Sequence, residues 1–171
     1  MTKTFADLGV DPALVDNLSE RGITSPFPIQ TLTIPDALAG RDVLGKAKTG
    51  SGKTLAFGLP LLQQLDTARP KRPTAICLVP TRELATQVRD ELAPLGEGTD
   101  VRVLAIYGGA PIEKQIAARN RGVELVVATP GRAIDLIERD ALDLSEVTHI
   151  VIDEADRMAD MGFLPQVTGV Q

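Results

Sequence analysis

TAICLVPTRELATQVRDELAPLGEG, residues 74–98, changes its period partway along. Residues 74–80 are a nearly continuous apolar run bounded by Pro73 and Pro80, the pattern of a short strand buried on both faces. Beyond it Leu84, Val88, Leu92 and Leu95 recur at helical spacing until Gly96 and Gly98 end the pattern. A buried strand running straight into an amphipathic helix is half of a βαβ unit.

The unit recurs on both sides. VRVLAIY (101–107) reads as a strand stopped by Gly108-Gly109, with a short helix after it carrying Ile112 and Ile116 on one face. ELVVATP (124–130) is a further strand, stopped at Pro130-Gly131 and followed by a helix marked by Ile134 and Ile137. HIVI (149–152) is the last clear strand. Upstream, RDVLGKA (41–47) is a weaker strand candidate that leads through a glycine-rich loop into the helix KTLAFGLPLLQQL, which Pro60 should bend or shorten. Strands alternating with helices predict an α/β fold with a mostly parallel sheet and helices on both faces. Ligands of such sheets bind beyond the carboxyl ends of the strands, so the strand-ending sequences are where chemistry is expected. Residues 1–40 differ: two or three short helices are expected around GITSPFPIQ (22–30). ARPKRP (68–73) reads as a solvated connector.

Composition narrows the function. The 171 residues amount to about one domain, with 43% hydrophobic and 24% charged residues, an ordinary globular balance. No apolar stretch approaches the ~20 residues of a membrane span, and residues 1–11 hold no apolar signal core. Cys77 is the single cysteine, which excludes an internal disulfide, and His149 is the single histidine, which leaves no His/Cys zinc cluster. Together these features favour a cytoplasmic protein without a membrane partner. A net charge of −5 argues against a diffuse basic surface for nucleic acid, so any such contact must be local and geometric.

Two strand ends carry chemistry. AKTGSGKT (47–54) follows a strand candidate and opens a helix, the context of a phosphate-binding loop. Gly50 and Gly52 allow backbone conformations closed to other residues, so that successive N–H groups can surround phosphate oxygens. Lys53 would meet the β- and γ-phosphates and the Thr54 hydroxyl would ligate Mg2+. Ala47 stands where the bare pattern has glycine, and the plainer alternative is a glycine-rich turn with an exposed lysine. HIVIDEAD (149–156) supplies the partner: Asp153 at a buried strand end can hold Mg2+, through a water if need be, and Glu154 is placed to orient an attacking water. Alone, these acids would be read as a helix N-cap.

AKTGSGKT, PTRELA (80–85), Gly108-Gly109, TPGR (129–132) and DEAD (153–156), in that order, resemble the DEAD-box ATP-dependent RNA helicases, and most closely the bacterial members. GITSPFPIQ resembles that family's Q motif, and Phe5 lies seventeen residues before Gly22, as the family's isolated aromatic does. The resemblance covers nearly the whole chain. It implies a RecA-like phosphate-loop NTPase domain at 41–171, preceded by a helical Q-motif segment at 1–40. It implies ATP and Mg2+ as cofactors and RNA as partner. ATP contacts would come from Phe5, Gly22, Thr24 and Gln30 and from Ala47, Lys48, Thr49, Gly50, Ser51, Gly52, Lys53 and Thr54. Lys48 stands where the family commonly has glutamine. Gln30 would read adenine, since one amide donor and one acceptor match N7 and N6–H, and Phe5 would stack on the base. By chemistry alone Gln30 reads as a surface helix residue and Phe5 as a loose terminal one. Pro80, Thr81, Arg82, Gly108, Gly109, Thr129, Pro130, Gly131 and Arg132 match positions that contact the RNA sugar-phosphate backbone, with little base specificity implied. Without the other motifs, the glycine and proline stretches among them are plain turn chemistry. Asp156 would couple to a Ser-Ala-Thr motif, which the 171 residues do not contain.

The resemblance also implies a second RecA-like domain, which supplies an arginine finger and half of the RNA site and is absent here. The expectation is an incomplete first domain that binds nucleotide, barely hydrolyses it and does not unwind RNA alone. Two other readings stay open: a phosphate-loop ATPase acting on DNA, separable by RNA–DNA competition, and a nucleotide-gated RNA clamp or scaffold, separable by Glu154→Gln.

Overall fold

A computed structural model of the chain describes residues 3–39, 52–65, 68, 72–97, 99, 101–107, 122–139 and 142–152. These fall into two compact units, Met1–Gln64 with Pro94–Asp100 and Leu65–Ala93 with Val101–Gln171.

The first unit is helical. A 3-10 turn at Ala6–Leu8 precedes α1 (Pro12–Glu20), α2 (Pro28–Leu38) and α3 (Lys53–Gln64). Both α1 and α2 begin on proline, whose fixed φ suits a first helical turn and whose missing N–H costs nothing there. The Thr4 amide donates to Asp7 Oδ2 at 2.9 Å and the Asp7 amide to Thr4 Oγ1 at 3.1 Å. These reciprocal bonds close the turn around Phe5, which is buried with Leu8, Leu14, Leu18 and Ile34. α2 packs on α3. At the far end of α3, Gln63 bridges two backbone groups, accepting from the Asp11 amide at 2.9 Å and donating to the Gly9 carbonyl at 3.0 Å. Gln64 Nε2 donates to the Leu38 carbonyl at 2.8 Å. Pro60 does not shorten α3, which continues through it to Gln64. Leu59, Pro60, Leu61 and Leu62 are all buried, and that packing outweighs the lost backbone donor.

The second unit holds the sheet. β1 (Ala75–Leu78), β2 (Val103–Ile106), β3 (Leu125–Ala128) and β4 (His149–Ile152) lie in the order β2-β3-β1-β4, and every pairing is parallel. The four strands expected from these segments are therefore present. Ile76, Leu78, Ile106, Val126 and Ala128 form one core with Ala133 and Leu136 of α5 (Pro130–Glu138) and with Leu142. The alternate residues Ala75, Cys77, Leu125 and Val127 are buried too, so both faces of the two central strands are covered. α4 (Arg82–Glu97) follows β1, and Val88, Leu92 and Leu95 of the expected stripe are buried. The expected strand over 41–47 and the helix of Ile112 and Ile116 lie outside the described residues.

ARPKRP is not simply a solvated connector. Ala68 is buried and its amide donates to Glu124 Oε2 at 2.9 Å, while Arg72 Nε lies 3.2 Å from Asp143 Oδ2.

Candidate functional site

In the first unit the candidate residues gather at the start of α2 and α3. Phe27 is the N-cap of α2, a position that favours Ser, Thr, Asp or Asn. Its side chain has no acceptor, so only the returning half of a capping box forms: the Phe27 amide donates to Gln30 Oε1 at 2.8 Å. Gln30 Nε2 donates to the Gly52 carbonyl at 3.0 Å, which also accepts from the Ala56 amide at 3.2 Å. The amide of Gln30 thus ties the Q-motif helix to the last glycine of AKTGSGKT. Gly52 has φ +82°, and a Cβ there would run into Gln30 Nε2 and Phe27 Cδ2, so only glycine fits. Gln30 is 2% exposed, which sets aside its reading as a surface residue. Phe5, also 2% exposed, is not a loose terminal residue; a base stacking on it would displace part of its present packing. Lys53 and Thr54 form the first turn of α3, both partly buried. Gly22 and Thr24 are exposed in the segment between α1 and α2.

In the second unit the register decides the geometry. Ile106, Ala128, Leu78 and Ile152 are paired across the sheet and each ends its strand. Neighbouring strands lie about 4.8 Å apart, so the sequences that follow leave one edge in a row. After β1 come Pro80 (buried), Thr81 (partly buried) and Arg82 (exposed). After β3 come Thr129, Pro130, Gly131 and Arg132, which open α5. Two main-chain bonds carry the row past the strands: the Val79 amide donates to the Ala128 carbonyl at 3.0 Å, and the Thr129 amide to the Ile106 carbonyl at 3.1 Å. The two threonines differ. Thr81 Oγ1 accepts from the Leu84 amide at 3.3 Å and so caps α4. Thr129 is the N-cap of α5, but its side chain makes no capping bond. Pro130 removes one of the donors at that helix start, and a Cβ on Gly131 would meet nothing within 4 Å, so the approach is open. Arg82 pairs only loosely with its neighbour Glu83, both well exposed, at 3.2 Å. Arg132, with a side chain 15% exposed, stands 4.0 Å from Asp135. Gly108, Gly109, Asp153, Glu154 and Asp156, and residues 47–51 of the phosphate loop, lie outside the described residues.

The opposite edge of the sheet is held by a residue that motif reading passes over. Glu124 immediately precedes β3, and its side chain is 2% exposed. Oε1 accepts from the Arg102 amide at 2.7 Å, Oε2 from the Ala68 amide at 2.9 Å, and Arg102 Nη2 stands 3.4 Å from Oε2. Its carbonyl takes the Thr74 and Ala75 amides at 3.0 and 2.9 Å. Burial alone would raise this carboxyl, but the two amides and the guanidinium outweigh it and hold it below the ordinary carboxylate value. A carboxylate at the head of an apolar strand was the available signal.

Among the described residues no group of three His, Cys, Asp or Glu side chains could hold a metal. Magnesium does not need such a cage, because it keeps several waters and leans on substrate phosphates. The Thr54 hydroxyl on the first turn of α3 is compatible with that mode.

A parallel sheet with buried strands, a covering helix and its motif sequences at the carboxyl ends defines a RecA-like α/β domain. A family model described as DEAD/DEAH box helicase matches residues 27–171, and the chain belongs to that family. It is 48% identical over 163 residues to DEAD-box ATP-dependent RNA helicase 9 of Oryza sativa subsp. japonica, covering 92% of this chain and 26% of the relative. It is 45% identical over 167 residues to DEAD-box ATP-dependent RNA helicase CshA of Bacillus cereus, covering 98% of this chain and 32% of the relative. The crystal structure of the RNA helicase Prp28 from Chaetomium thermophilum bound to ADP superposes with a TM-score of 0.89 at 41% identity, over 98% of this chain and 42% of that one. The chain therefore spans about a quarter to a third of the length of the curated relatives it matches. Plant and bacterial relatives stand close together in identity, so identity does not single out the bacterial members.

Proposed function

We propose that this chain is the ATP-binding first domain of a cytoplasmic ATP-dependent RNA helicase, which couples nucleotide binding and hydrolysis to local opening of RNA duplexes. In this reading Gln30 recognises adenine, with Phe5, Gly22 and Thr24 around it. Residues 47–54 surround the phosphates, with Lys53 at the β- and γ-phosphates. Thr54 and Asp153 hold Mg2+, which when bound neutralises charge developing on the phosphates. Glu154 orients the attacking water. Pro80, Thr81, Arg82, Gly108, Gly109 and residues 129–132 bind the RNA sugar-phosphate backbone, and Asp156 couples to the second domain of the longer protein. Domain boundaries of 1–40 and 41–171 go with this reading.

The observation that carries it is the shared row in which β1 to β4 end. Backbone donors of two successive helix starts and the side chains of Thr81, Arg82, Thr129 and Arg132 leave that row on neighbouring strands. Helix N-termini suit phosphate oxygens. Donors spaced by strands suit a repeating backbone rather than bases, which accounts for RNA contact by a chain of net charge −5.

The test is a titration of a fluorescent adenine nucleotide, with ATP, ADP and GTP as competitors. The expected result is adenine-selective binding that Lys53→Ala abolishes and that Gln30→Ala makes unselective. Binding that ignores Lys53→Ala in a folded protein would overturn the phosphate-loop assignment.

A further inference from the structure

α3 carries Lys53 and Thr54 at its start and two adjacent glutamines, Gln63 and Gln64, at its end, roughly 15 Å away by helical rise. That is too far for contact with phosphates held at Lys53. Both glutamines are partly exposed, and both reach main-chain groups of other elements. Gln63 Oε1 accepts from the Asp11 amide at 2.9 Å, and its Nε2 donates to the Gly9 carbonyl at 3.0 Å. These groups flank the junction between the Phe5 turn and α1. Gln64 Nε2 donates to the carbonyl of Leu38, the last residue of α2, at 2.8 Å. A Cβ on Gly9 would stand 3.2 Å from Leu38 Cδ1, so that junction and the end of α2 meet. The last turn of α3 thus gathers both.

The α2–α3 pair is therefore clasped at both ends. At the start, Gln30 Nε2 donates to the Gly52 carbonyl at 3.0 Å. At the end, Gln64 holds the Leu38 carbonyl. A single bond of this kind leaves one helix free to pivot or slide on the other, whereas two at opposite ends fix its axial position. The two clasps are not equivalent. The Gly52 carbonyl also accepts from the Ala56 amide at 3.2 Å, so it stays paired when Gln30 leaves. The Leu38 carbonyl closes its helix, where no donor of that helix reaches it, so loss of Gln64 removes a bond that α2 cannot replace. One clasp can open at little cost, and the other cannot.

We propose that Gln63 and Gln64 are positioning residues of the nucleotide site: they keep α2 and the Phe5 turn in axial register with Lys53 and Thr54 while Gln30 exchanges Gly52 for a bound base. This rests on the reading that adenine nucleotide binds between Gln30 and the phosphate loop. A ligand that spans both halves of such a site needs their spacing to be right, and a ligand confined to one half does not. The glutamines therefore act on ATP as a whole and not on its phosphates alone.

Two readouts test this. In the side-chain amide NMR spectrum of the parent, ATP is expected to move the Gln30 NH2 resonances and to leave those of Gln64 in place. Gln64 resonances that move as far as those of Gln30 would overturn the proposal; Gln30 resonances that stay put would overturn the base reading beneath it. In competition against a fluorescent adenine nucleotide, Gln64→Glu keeps the shape and loses the donor. It is expected to weaken ATP roughly fivefold, the scale of one hydrogen bond, with tripolyphosphate unchanged. Gln64→Lys, which again has a donor on a long stem, should restore ATP binding, and Gln63→Met should weaken ATP in the same selective way. A role in folding alone would weaken ATP and tripolyphosphate equally and would overturn the proposal. So would ATP affinity unchanged in both Gln64→Glu and Gln63→Met while Lys53→Ala still abolishes binding: the nucleotide site would then stand and only the positioning role would fall. A parent chain that binds neither ligand would overturn both.

Discussion

Glu124 shows at the scale of one residue how a buried charge can be tolerated. Its carboxylate is almost fully covered, yet both oxygens accept backbone amides and a guanidinium stands beside it. Leaving such donors unmatched costs more than making the bonds gains. Glu124→Gln keeps the shape but turns an NH2 toward donors, and is expected to cost about 2–3 kcal/mol at neutral pH by urea unfolding. The pH dependence has a definite sign. The folded carboxyl lies below its ordinary value, so its stabilisation is complete above the unfolded value of roughly 4.3 and is lost as pH falls through the folded one. The parent should therefore lose its advantage over Glu124→Gln in acid; an advantage that persists unchanged well below pH 4 would contradict the role. Gln30 makes a related point. Its identity and motif were legible in the sequence, but not the fact that both halves of its amide are already engaged, since its partners are the main-chain groups of Phe27 and Gly52.

The elements were the most legible level, because their signals are periodic. The strands at 75–78, 103–106, 125–128 and 149–152 lie inside the runs that read as strands, and α4 and α5 follow their apolar spacings. Pro60 does not shorten its helix for a physical reason: a proline penalty is read from the chain, whereas the packing that outweighs it is tertiary. Helix starts now separate two threonines that look alike in sequence. Thr81→Ala removes the cap bond to the Leu84 amide and is expected to cost about 1 kcal/mol. Thr129→Ala removes no capping bond and should fall within about 0.5 kcal/mol of the parent, yet weaken binding of a single-stranded RNA oligomer if its hydroxyl serves the RNA backbone. Thermal unfolding beside RNA titration checks both; a large stability loss at Thr129 with RNA affinity intact would reverse the assignment.

At the scale of the molecule, strand order was not legible. Neighbours in sequence are not always neighbours in the sheet: β1 lies between β3 and β4, and β3 between β2 and β1. Only that order shows which motifs leave the sheet side by side. Activity belongs to this scale as well. An arginine finger is worth roughly 10³–10⁵ in rate in related phosphate-loop enzymes, and the 171 residues span about a quarter to a third of their curated relatives. Phosphate release by this chain alone is expected to stay near background, with or without RNA. Robust RNA-stimulated turnover that Glu154→Gln removes would show that no further domain is needed.

The shared ending of the four strands works as a ruler. Adding one residue inside β3 would flip the side chains beyond it to the other face, and adding two would carry residues 129–132 forward by roughly 6.6 Å relative to their neighbours on β1 and β4. Drift in strand length is therefore penalised at the carboxyl edge even where the core would repack. An insertion ahead of a strand leaves that carboxyl-edge alignment intact, so the amino edge meets the ruler only through Glu124 and its partners.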